Sequence, residues 1–158
     1  MGGGSSNAAC ILKGLTKLYD LNISLNDLLK IGSLIGADVP FFIRGGCQIG
    51  SGIGDQLVKV NHKIKNTFLL VMPDIHVCTK TTFKKLKKIL DYNKEEVRFA
   101  NFVEKDKFLF KFFENDFETI IVPTYPEIGE IKKELLNHGA VFSSLSGTGS
   151  TVYGVFDD

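Results

Sequence analysis

A run of small residues near the start of the chain has the composition of an anion-binding site. The run consists of Gly2, Gly3, Gly4, Ser5, Ser6 and Asn7. A helix N-terminus offers free backbone N–H groups and a partial positive charge, and glycines just before it let a polyanion approach the backbone. The serine hydroxyls can reach a phosphate or a phosphate-bound metal. Taken alone, such a run is more typical of a flexible tail, and no Gly-Lys-Ser/Thr follows to make a Walker loop.

An aspartate further along the chain could accept a proton from a substrate. Asp38 lies between Gly36, where a helix is expected to end, and the apolar residues 39–43. A carboxylate beside low-dielectric surroundings can accept a proton from a substrate hydroxyl or orient that hydroxyl, as phosphoryl transfer requires. Taken alone, an aspartate in this place is more often a turn residue that satisfies nearby amides.

A third segment alternates glycine with hydroxyl residues near the end of the chain. It reads Ser146, Gly147, Thr148, Gly149 and Ser150. Such a segment can form a tight, amide-lined concavity that suits an anion. Taken alone, it is more typical of an ordinary connection between two strands. The occurrence of all three segments on one chain is the stronger signal.

Helices are expected to position the first two segments. Apolar residues at three- and four-residue spacing predict an amphipathic helix over residues 6–19, with Ser5, Ser6 or Asn7 capping its first turn. A second helix is predicted to begin at Ser24, where residues 24–27 resemble a capping box, and to end at Gly36. The side chains expected on its buried side are Leu25, Leu28, Leu29, Leu34 and Ile35. Because Pro40 lacks an amide donor and restricts the residue before it, residues 37–43 cannot continue that helix.

The second half of the chain alternates predicted strands and helices. The unbroken apolar run at 67–73 indicates a strand buried on both faces. A lysine-rich helix is predicted at 79–90, helical or irregular structure at 91–119, a helix at 127–137, and strands at 141–145 and 151–156. This order predicts an α+β fold, a two-layer sandwich with the helices on one face of the sheet.

Composition excludes several classes of protein. The chain has 158 residues and a formal net charge of +1, and Arg44 and Arg98 are its only arginines, which argues against a nucleic-acid partner. No apolar run approaches the ~18 residues of a membrane span, so no membrane partner is expected. Cys10, Cys47 and Cys78 are widely spaced and no cluster of ligands at metal-binding spacing appears, so the sequence predicts reduced thiols and no zinc site.

The three segments together resemble a known kinase superfamily. Residues 2–9 (GGGSSNAA), 35–42 (IGADVPFF) and 145–152 (LSGTGSTV) are similar to the motifs of the galactokinase, homoserine kinase, mevalonate kinase and phosphomevalonate kinase superfamily. The similarity is greatest to the branch that phosphorylates the 2-hydroxyl of 4-diphosphocytidyl-2-C-methyl-D-erythritol in non-mevalonate isoprenoid biosynthesis. It covers essentially the whole chain. The resemblance implies ATP and Mg²⁺ as cofactors and this cytidine diphosphate methylerythritol as the small-molecule substrate.

The resemblance also implies a role for individual residues. Asp38 matches the catalytic aspartate. The residues that match the ATP-binding motif are Gly2, Gly3, Gly4, Ser5, Ser6 and Asn7, and those on the substrate side are Thr79, Phe83, Gly147, Thr148 and Gly149. Phe83 matches an aromatic residue that stacks on the cytosine, whereas helical spacing alone predicts it to be a core residue. No metal ligand is assigned.

This chain departs from the family at both ends. Family members begin with a region that holds a catalytic lysine and the strands leading into the glycine motif, and they continue beyond the last strand seen here. We therefore expect an N-terminally truncated kinase fold, with residues 1–60 as the remainder of the ATP-binding domain and residues 61–158 as a ferredoxin-like C-terminal domain. Such a chain is expected to have little kinase activity alone, and to need the N-terminal segment or a second copy as partner.

Two other functions remain open at this stage. One is a catalytically dead fragment or association module of the same fold, and the other is a sibling kinase that acts on homoserine or mevalonate. The expected location is the cytoplasm or a plastid-type organelle.

Overall fold

The computed structural model describes two compact units. It describes residues 2–51, 54, 56–60, 64–89, 103–104, 107–110 and 113–157. One unit spans Gly2–Lys63 and the other Ile64–Asp158. The assignment of residues 1–60 to an ATP-binding domain and of 61–158 to a ferredoxin-like domain stays a prediction.

The first unit consists of three helices and a hairpin. Its elements are α1 (Gly3–Leu18), α2 (Leu25–Ile35), α3 (Val39–Arg44), β1 (Gln48–Ser51) and β2 (Gln56–Lys59). The two strands pair antiparallel. The helices enclose a small core in which four apolar side chains are buried: Ala9, Leu28, Val39 and Ile43.

Helix α1 begins earlier than its apolar spacing predicts. The first helical residue is Gly3, and Gly2 precedes it with a φ of 64° in the left-handed region. Glycine adopts this conformation without the clash that a Cβ atom would cause. Ser5, Ser6 and Asn7 therefore lie inside the helix, and their predicted role as caps is wrong. The glycine run is the first turn of the helix itself.

Helix α2 begins and ends as predicted, but its buried face is different. Ser24 caps the helix by accepting the N–H of Asp27 at 3.2 Å, and its hydroxyl donates to the Asp27 carboxylate at 2.6 Å. Helix α3 packs against α2 at Gly32, where a Cβ atom would lie 2.6 Å from Cδ1 of Ile43. Leu28 is buried, as predicted. Three residues that were expected to be buried are exposed instead: Leu25, Leu34 and Ile35.

Helix α3 is a short element that the sequence did not indicate. Residues 37–43 do not continue α2, as predicted, but residues 39–44 form a separate helix with Pro40 in its first turn. The first turn tolerates proline because the N–H groups there have no acceptor within the helix. Val39 and Ile43 are buried against the other two helices, and this packing stabilises a helix of only six residues.

The second unit combines a sheet with helices. Its elements are β3 (Thr67–Val71), α4 (Thr79–Ile89), β4 (Val103–Glu104), β5 (Lys107–Phe108), α5 (Glu118–Thr124), α6 (Pro126–Asn137), β6 (Phe142–Leu145) and β7 (Val152–Phe156). The strands β3, β7 and β6 form an antiparallel sheet in that order, and β4 pairs with β5. The predicted α+β fold is confirmed. The predicted helical or irregular structure at 91–119 lies largely outside the described residues, and the two short strands β4 and β5 contradict it where it is described.

Helices α5 and α6 cover one face of this sheet. Ile121 and Ile128 from the helices pack with Leu145 and Val152 from the strands, and all four side chains are at most 2% exposed. Burial of apolar side chains of this size contributes about 1.5–3 kcal/mol each to folding. These contacts hold β6 and β7, and therefore the turn that joins them, against a rigid support.

Strand β3 is not buried on both faces, as its apolar run predicted. Phe68, Leu69 and Leu70 are 43%, 50% and 42% exposed. In the described sheet, β3 is an edge strand whose one partner is β7. An apolar run indicates what a strand can bury, but the packing around it decides what is buried.

A half-buried carboxylate joins α5 to the end of β6. Glu118 accepts hydrogen bonds from the Ser144 hydroxyl and the Leu145 N–H, each at 2.7 Å, and forms an ion pair with Lys132. Burial raises the pKa of this carboxyl, but the hydrogen bonds from Lys132, Leu145 and Ser144 outweigh that effect and hold the pKa below its usual value. The charged form of Glu118 therefore stabilises the second unit.

We predict that Glu118→Gln lowers the free energy of unfolding at neutral pH by about 1–3 kcal/mol, because hydrogen bonds to a buried charge are lost. A group with a lowered pKa in the folded state contributes stability above its unfolded pKa of about 4.3, and that contribution is lost as the pH falls further. Urea unfolding of both proteins between pH 3 and 7 measures this. Equal losses of stability on acidification in both proteins would contradict the prediction.

Candidate functional site

The first turn of α1 presents unpaired backbone donors. The first hydrogen bond within the helix runs from the Ser6 N–H to the Gly2 carbonyl at 2.9 Å, so the N–H groups of residues 2–5 have no acceptor in the helix. A Cβ atom on Gly3 or Gly4 would meet no atom of the described chain within 4 Å. These donors, at the positive end of a 16-residue helix, can therefore be reached by an anion.

The structure brings this turn against the segment that carries Asp38. A Cβ atom on Gly2 would lie 3.0 Å from the ring of Phe42, and one on Gly36 would lie 4.0 Å from Oγ of Ser5. Gly36 and Phe42 flank Asp38 in the sequence, so both sides of the aspartate segment contact the start of α1. Glycine at position 2 permits the close approach to Phe42, whereas a Cβ atom at position 36 would make ordinary van der Waals contact with Ser5.

Asp38 itself precedes α3 with an exposed side chain. Its carboxylate makes no capping hydrogen bond to α3, although the residue occupies the capping position. The carboxylate is thus not used by its own helix. Asp38 does lie in the turn that precedes α3, but its side chain makes no hydrogen bond that would cap the helix.

In the second unit, the structure brings Thr79 and Thr148 together. Thr79 is the first residue of α4, Thr148 lies in the turn between β6 and β7, and their hydroxyl oxygens are 3.1 Å apart. The two residues are 69 positions apart in the chain. The sequence motifs that contain them therefore meet at one surface of this unit.

Phe83 lies on the same side of α4 as Thr79, because residues four apart share a helix face. Its side chain is 54% exposed, so the expectation from helical spacing that it is a core residue is wrong. Its ring meets Phe117 edge-on at 4.8 Å between centroids. A cavity of about 430 Å³ begins here, lined by Phe83, Leu86, Phe117, Ser144 and Tyr153 among others.

Two ionisable groups near this surface have shifted pKa values. The Thr81 hydroxyl donates to Sγ of Cys78, just before α4, at 3.3 Å, and this bond together with the Thr81 N–H lowers the pKa of the thiol. Burial raises the pKa of Tyr153 in the cavity wall. The phenol therefore stays neutral, and the surface around Thr79 carries no added negative charge from it.

Backbone hydrogen bonds and a close contact at a glycine hold the turn at 146–150 in one conformation. The Ser146 N–H donates to the Thr151 carbonyl at 2.8 Å, and the Gly149 N–H donates to the Ser146 carbonyl at 3.0 Å. Gly149 has a φ of 90°, and a Cβ atom there would lie 3.0 Å from Cδ1 of Leu145. The turn therefore requires glycine at this position for its backbone and for the space.

Sequence analysis missed Asn115 as a residue of this site. Its side-chain Nδ2 donates to the carbonyl of Leu145 at 2.7 Å and to that of Gly147 at 2.9 Å. The signal in the sequence was an Asn-Asp pair just before α5, which is typical of turns and helix starts. Nothing in the spacing connects that pair to a turn about thirty positions later.

Two features are absent from the described part of the chain: a cluster of metal ligands and a membrane-spanning helix. Within the described part of the chain, no three histidine, cysteine or acidic side chains come together in a way that could hold a metal ion. Among its helices, none is both long enough and apolar enough to cross a membrane.

Two models of one protein family match the chain. The GHMP kinases N terminal domain matches residues 1–46, and the GHMP kinases C terminal domain matches residues 94–158. Together they match well over half of the chain, and they include all three motif segments.

Curated relatives are similar along the whole chain. The 4-diphosphocytidyl-2-C-methyl-D-erythritol kinase of Geobacter sulfurreducens is 37% identical over 158 residues, which cover 100% of this chain and 56% of that protein. The protein of the same name from Alkaliphilus oremlandii is 40% identical over 164 residues, covering 99% of this chain and 55% of that protein. The chain thus spans a little over half the length of these relatives.

A solved structure has the same fold. It is described as the crystal structure of 4-(cytidine 5'-diphospho)-2C-methyl-D-erythritol kinase, and it matches with a TM-score of 0.77 at 23% identity. The match covers 98% of this chain and 56% of that one.

We predict that Gly149→Ala destabilises the second unit more than Gly139→Ala does. Both glycines have a φ near 90°, where a side chain costs about 1–3 kcal/mol, but a Cβ atom meets Leu145 only at Gly149 and has open space at Gly139. Urea unfolding of the two variants measures the difference. Equal destabilisation would show that the contact with Leu145 does not restrict the turn.

Proposed function

The chain belongs to the GHMP kinase family, and on that premise we propose that it forms part of an ATP-dependent kinase. The proposed reaction is phosphorylation of the 2-hydroxyl of 4-diphosphocytidyl-2-C-methyl-D-erythritol, in non-mevalonate isoprenoid biosynthesis. The observation that carries the proposal is the packing of the first turn of α1, with its unpaired donors, against both sides of the Asp38 segment. A donor cluster for phosphate and an exposed carboxylate then belong to one surface.

The first turn of α1 is the proposed binding site for the ATP phosphates. The residues are Gly2, Gly3, Gly4, Ser5, Ser6 and Asn7. ATP supplies the phosphoryl group that is transferred. The backbone N–H groups of residues 2–5 can donate to its phosphate oxygens, and the absence of side chains on the glycines leaves the approach open. Fixed donors of this kind stabilise the negative charge that phosphoryl transfer spreads over the phosphate oxygens.

Asp38 is the proposed catalytic base. Its exposed carboxylate can accept the proton from the substrate hydroxyl as that oxygen attacks, and it needs no prior release from a helix cap. Mg²⁺ is expected with ATP, and the Ser5 and Ser6 hydroxyls would hold a phosphate-bound ion at this turn, where the ion would offset the charge of the phosphates. The expected location of the kinase is the cytoplasm or a plastid-type organelle.

The surface around Thr79 and Thr148 is the proposed substrate side. Gly147, Thr148 and Gly149 hold the substrate from the turn, and Phe83 offers its exposed ring to the cytosine. Stacking of a base on an aromatic ring is worth about 1–3 kcal/mol. The half-exposed position of Phe83 supports this role over that of a core residue.

Exposed apolar side chains on α1 support the proposal that another part of the whole kinase covers this helix. Four large apolar residues of this helix and its end are 44–73% exposed in the described chain: Ile11, Leu15, Leu18 and Tyr19. Contiguous apolar surface of this kind marks an interaction site. We therefore expect little activity from the chain alone, with the N-terminal segment of the kinase or a second copy as partner.

We predict that the chain gains kinase activity when it is mixed with the N-terminal segment of the Geobacter sulfurreducens relative, and that Asp38→Asn lowers the recovered rate at least ~100-fold. Phosphorus NMR of the phosphorylated alcohol measures the reaction. Asp20→Asn is the matched control, because Asp20 follows the other end of α1, and it should leave the rate unchanged.

The alternatives give different results in the same experiment. Phosphorylation of homoserine or mevalonate in preference to the cytidine substrate would indicate a sibling kinase. Association with the N-terminal segment without any phosphoryl transfer would indicate a catalytically dead association module.

We predict that Phe83→Ala weakens binding of cytidine diphosphate methylerythritol by about 5- to 150-fold, because the stacked ring is lost, while Phe83→Tyr retains binding. Isothermal titration calorimetry of the whole chain carrying either substitution measures the two affinities. Equal affinity of wild type and Phe83→Ala would argue against stacking on this ring.

A further inference from the structure

We propose that Asn115 is a positioning residue that holds the turn at 146–150 in its substrate-binding conformation. The proposal rests on the proposed function, since it assumes that this turn contacts the substrate. Asn115 is half-buried behind the turn, and none of the motifs in the sequence assigns it a role.

The segment before and at the start of α5 replaces a neighbouring strand at the edge of the sheet. Strand β6 is an edge strand in the described sheet, and its last residue, Leu145, has an N–H and a carbonyl that point away from β7. Glu118 accepts that N–H and Asn115 donates to that carbonyl, each at 2.7 Å. Two side chains thus satisfy backbone groups that a strand would otherwise pair.

Asn115 also spans from the strand into the turn. Its Nδ2 donates to Leu145 and to Gly147, while its Oδ1 accepts the N–H of Phe117 at 3.0 Å. The bond from Phe117 fixes the plane of the carboxamide, so the two N–H donors have fixed directions. One rigid group therefore sets the distance between the end of β6 and the second residue of the turn.

This contact also determines where the Thr148 N–H points. The Gly147 carbonyl and the Thr148 N–H belong to one planar trans peptide and point in opposite directions. With the carbonyl held by Asn115, the N–H is directed away from Asn115. Because Gly147 has a φ of 57° and no Cβ atom, this peptide could otherwise rotate at little cost.

The orientation of Thr148 connects Asn115 to the proposed substrate surface. The Thr148 hydroxyl is 3.1 Å from that of Thr79, at the start of α4. Rotation of the preceding peptide would move the Thr148 backbone donor and separate this pair. Asn115 thus acts on the two threonines through the turn, and its side chain also lines the cavity that begins at Phe83.

The test compares Asn115→Ser with Asn66→Ser. Serine at 115 can still accept the Phe117 N–H but cannot reach both carbonyls. Asn66 is the matched control, since its Nδ2 reaches the Phe156 carbonyl at 3.4 Å, at the end of β7 remote from the turn, and the Asp157 side chain at 2.7 Å. Both variants lose an asparagine amide that joins a strand end to another part of the chain.

Two measurements are made on the whole chain. Amide hydrogen exchange at Ser146 and Gly149, followed by NMR, reports on the turn, and calorimetric titration with cytidine diphosphate methylerythritol reports on binding. We expect Asn115→Ser to speed exchange at these two amides and to weaken binding, each by about tenfold relative to Asn66→Ser. Binding by Asn66→Ser should equal that of wild type.

Unchanged exchange at the turn in Asn115→Ser, or an equal loss of affinity in both variants, would overturn the positioning role. A wild-type chain that binds no cytidine ligand even when mixed with the N-terminal segment of the Geobacter sulfurreducens relative would instead refute the substrate assignment. In that case, exchange at Ser146 and Gly149 still decides whether Asn115 holds the turn, so the two failures are distinguishable.

Discussion

Close backbone approach at Gly2 determines where α1 begins in the first unit. A Cβ atom on Gly2 would meet the ring of Phe42 and one on Gly36 would lie in ordinary contact with Ser5, so the first turn of α1 lies against the segment around Asp38. A side chain at Gly2 would push the helix start away from that segment. Because Gly2 also takes a left-handed conformation, the same residue turns the chain into the helix and leaves its donors open to solvent. The proposed phosphate site and the proposed proton acceptor both depend on this packing.

In the second unit, side-chain hydrogen bonds hold the turn between β6 and β7 in place. The turn between β6 and β7 follows an edge strand, and no strand in the described sheet lies beyond it. Asn115 and Glu118 pair with both backbone groups of Leu145, and Asn115 continues to Gly147. The core under α5 and α6 holds the strands, whereas these polar contacts hold the turn. A loop that binds a ligand needs such support, because an unsupported loop loses conformational entropy on binding.

Much of the secondary structure could be predicted because it depends on local signals. The capping pair at Ser24 and Asp27 marks the start of α2 through local hydrogen bonds, and Gly139, which has a φ of 93°, follows the end of α6. The errors have a different origin. The start of α1, the short helix α3 and the exposure of β3 and Phe83 depend on which surfaces meet, and apolar spacing does not report that. The roles of Asp38, Phe83 and the two glycine segments rest on the resemblance and remain proposals.

The sequence by itself determined the three motifs, the family and most helices and strands, because these follow from residue types and short spacings. The tertiary structure decided which motifs meet within each unit. It joined Thr79 to Thr148 across 69 positions and Asn115 to the turn across about 30, through hydrogen bonds whose partners share no local pattern. Side-chain hydrogen bonds form only between groups within about 3 Å, and that proximity is created by packing of the core rather than by order along the chain.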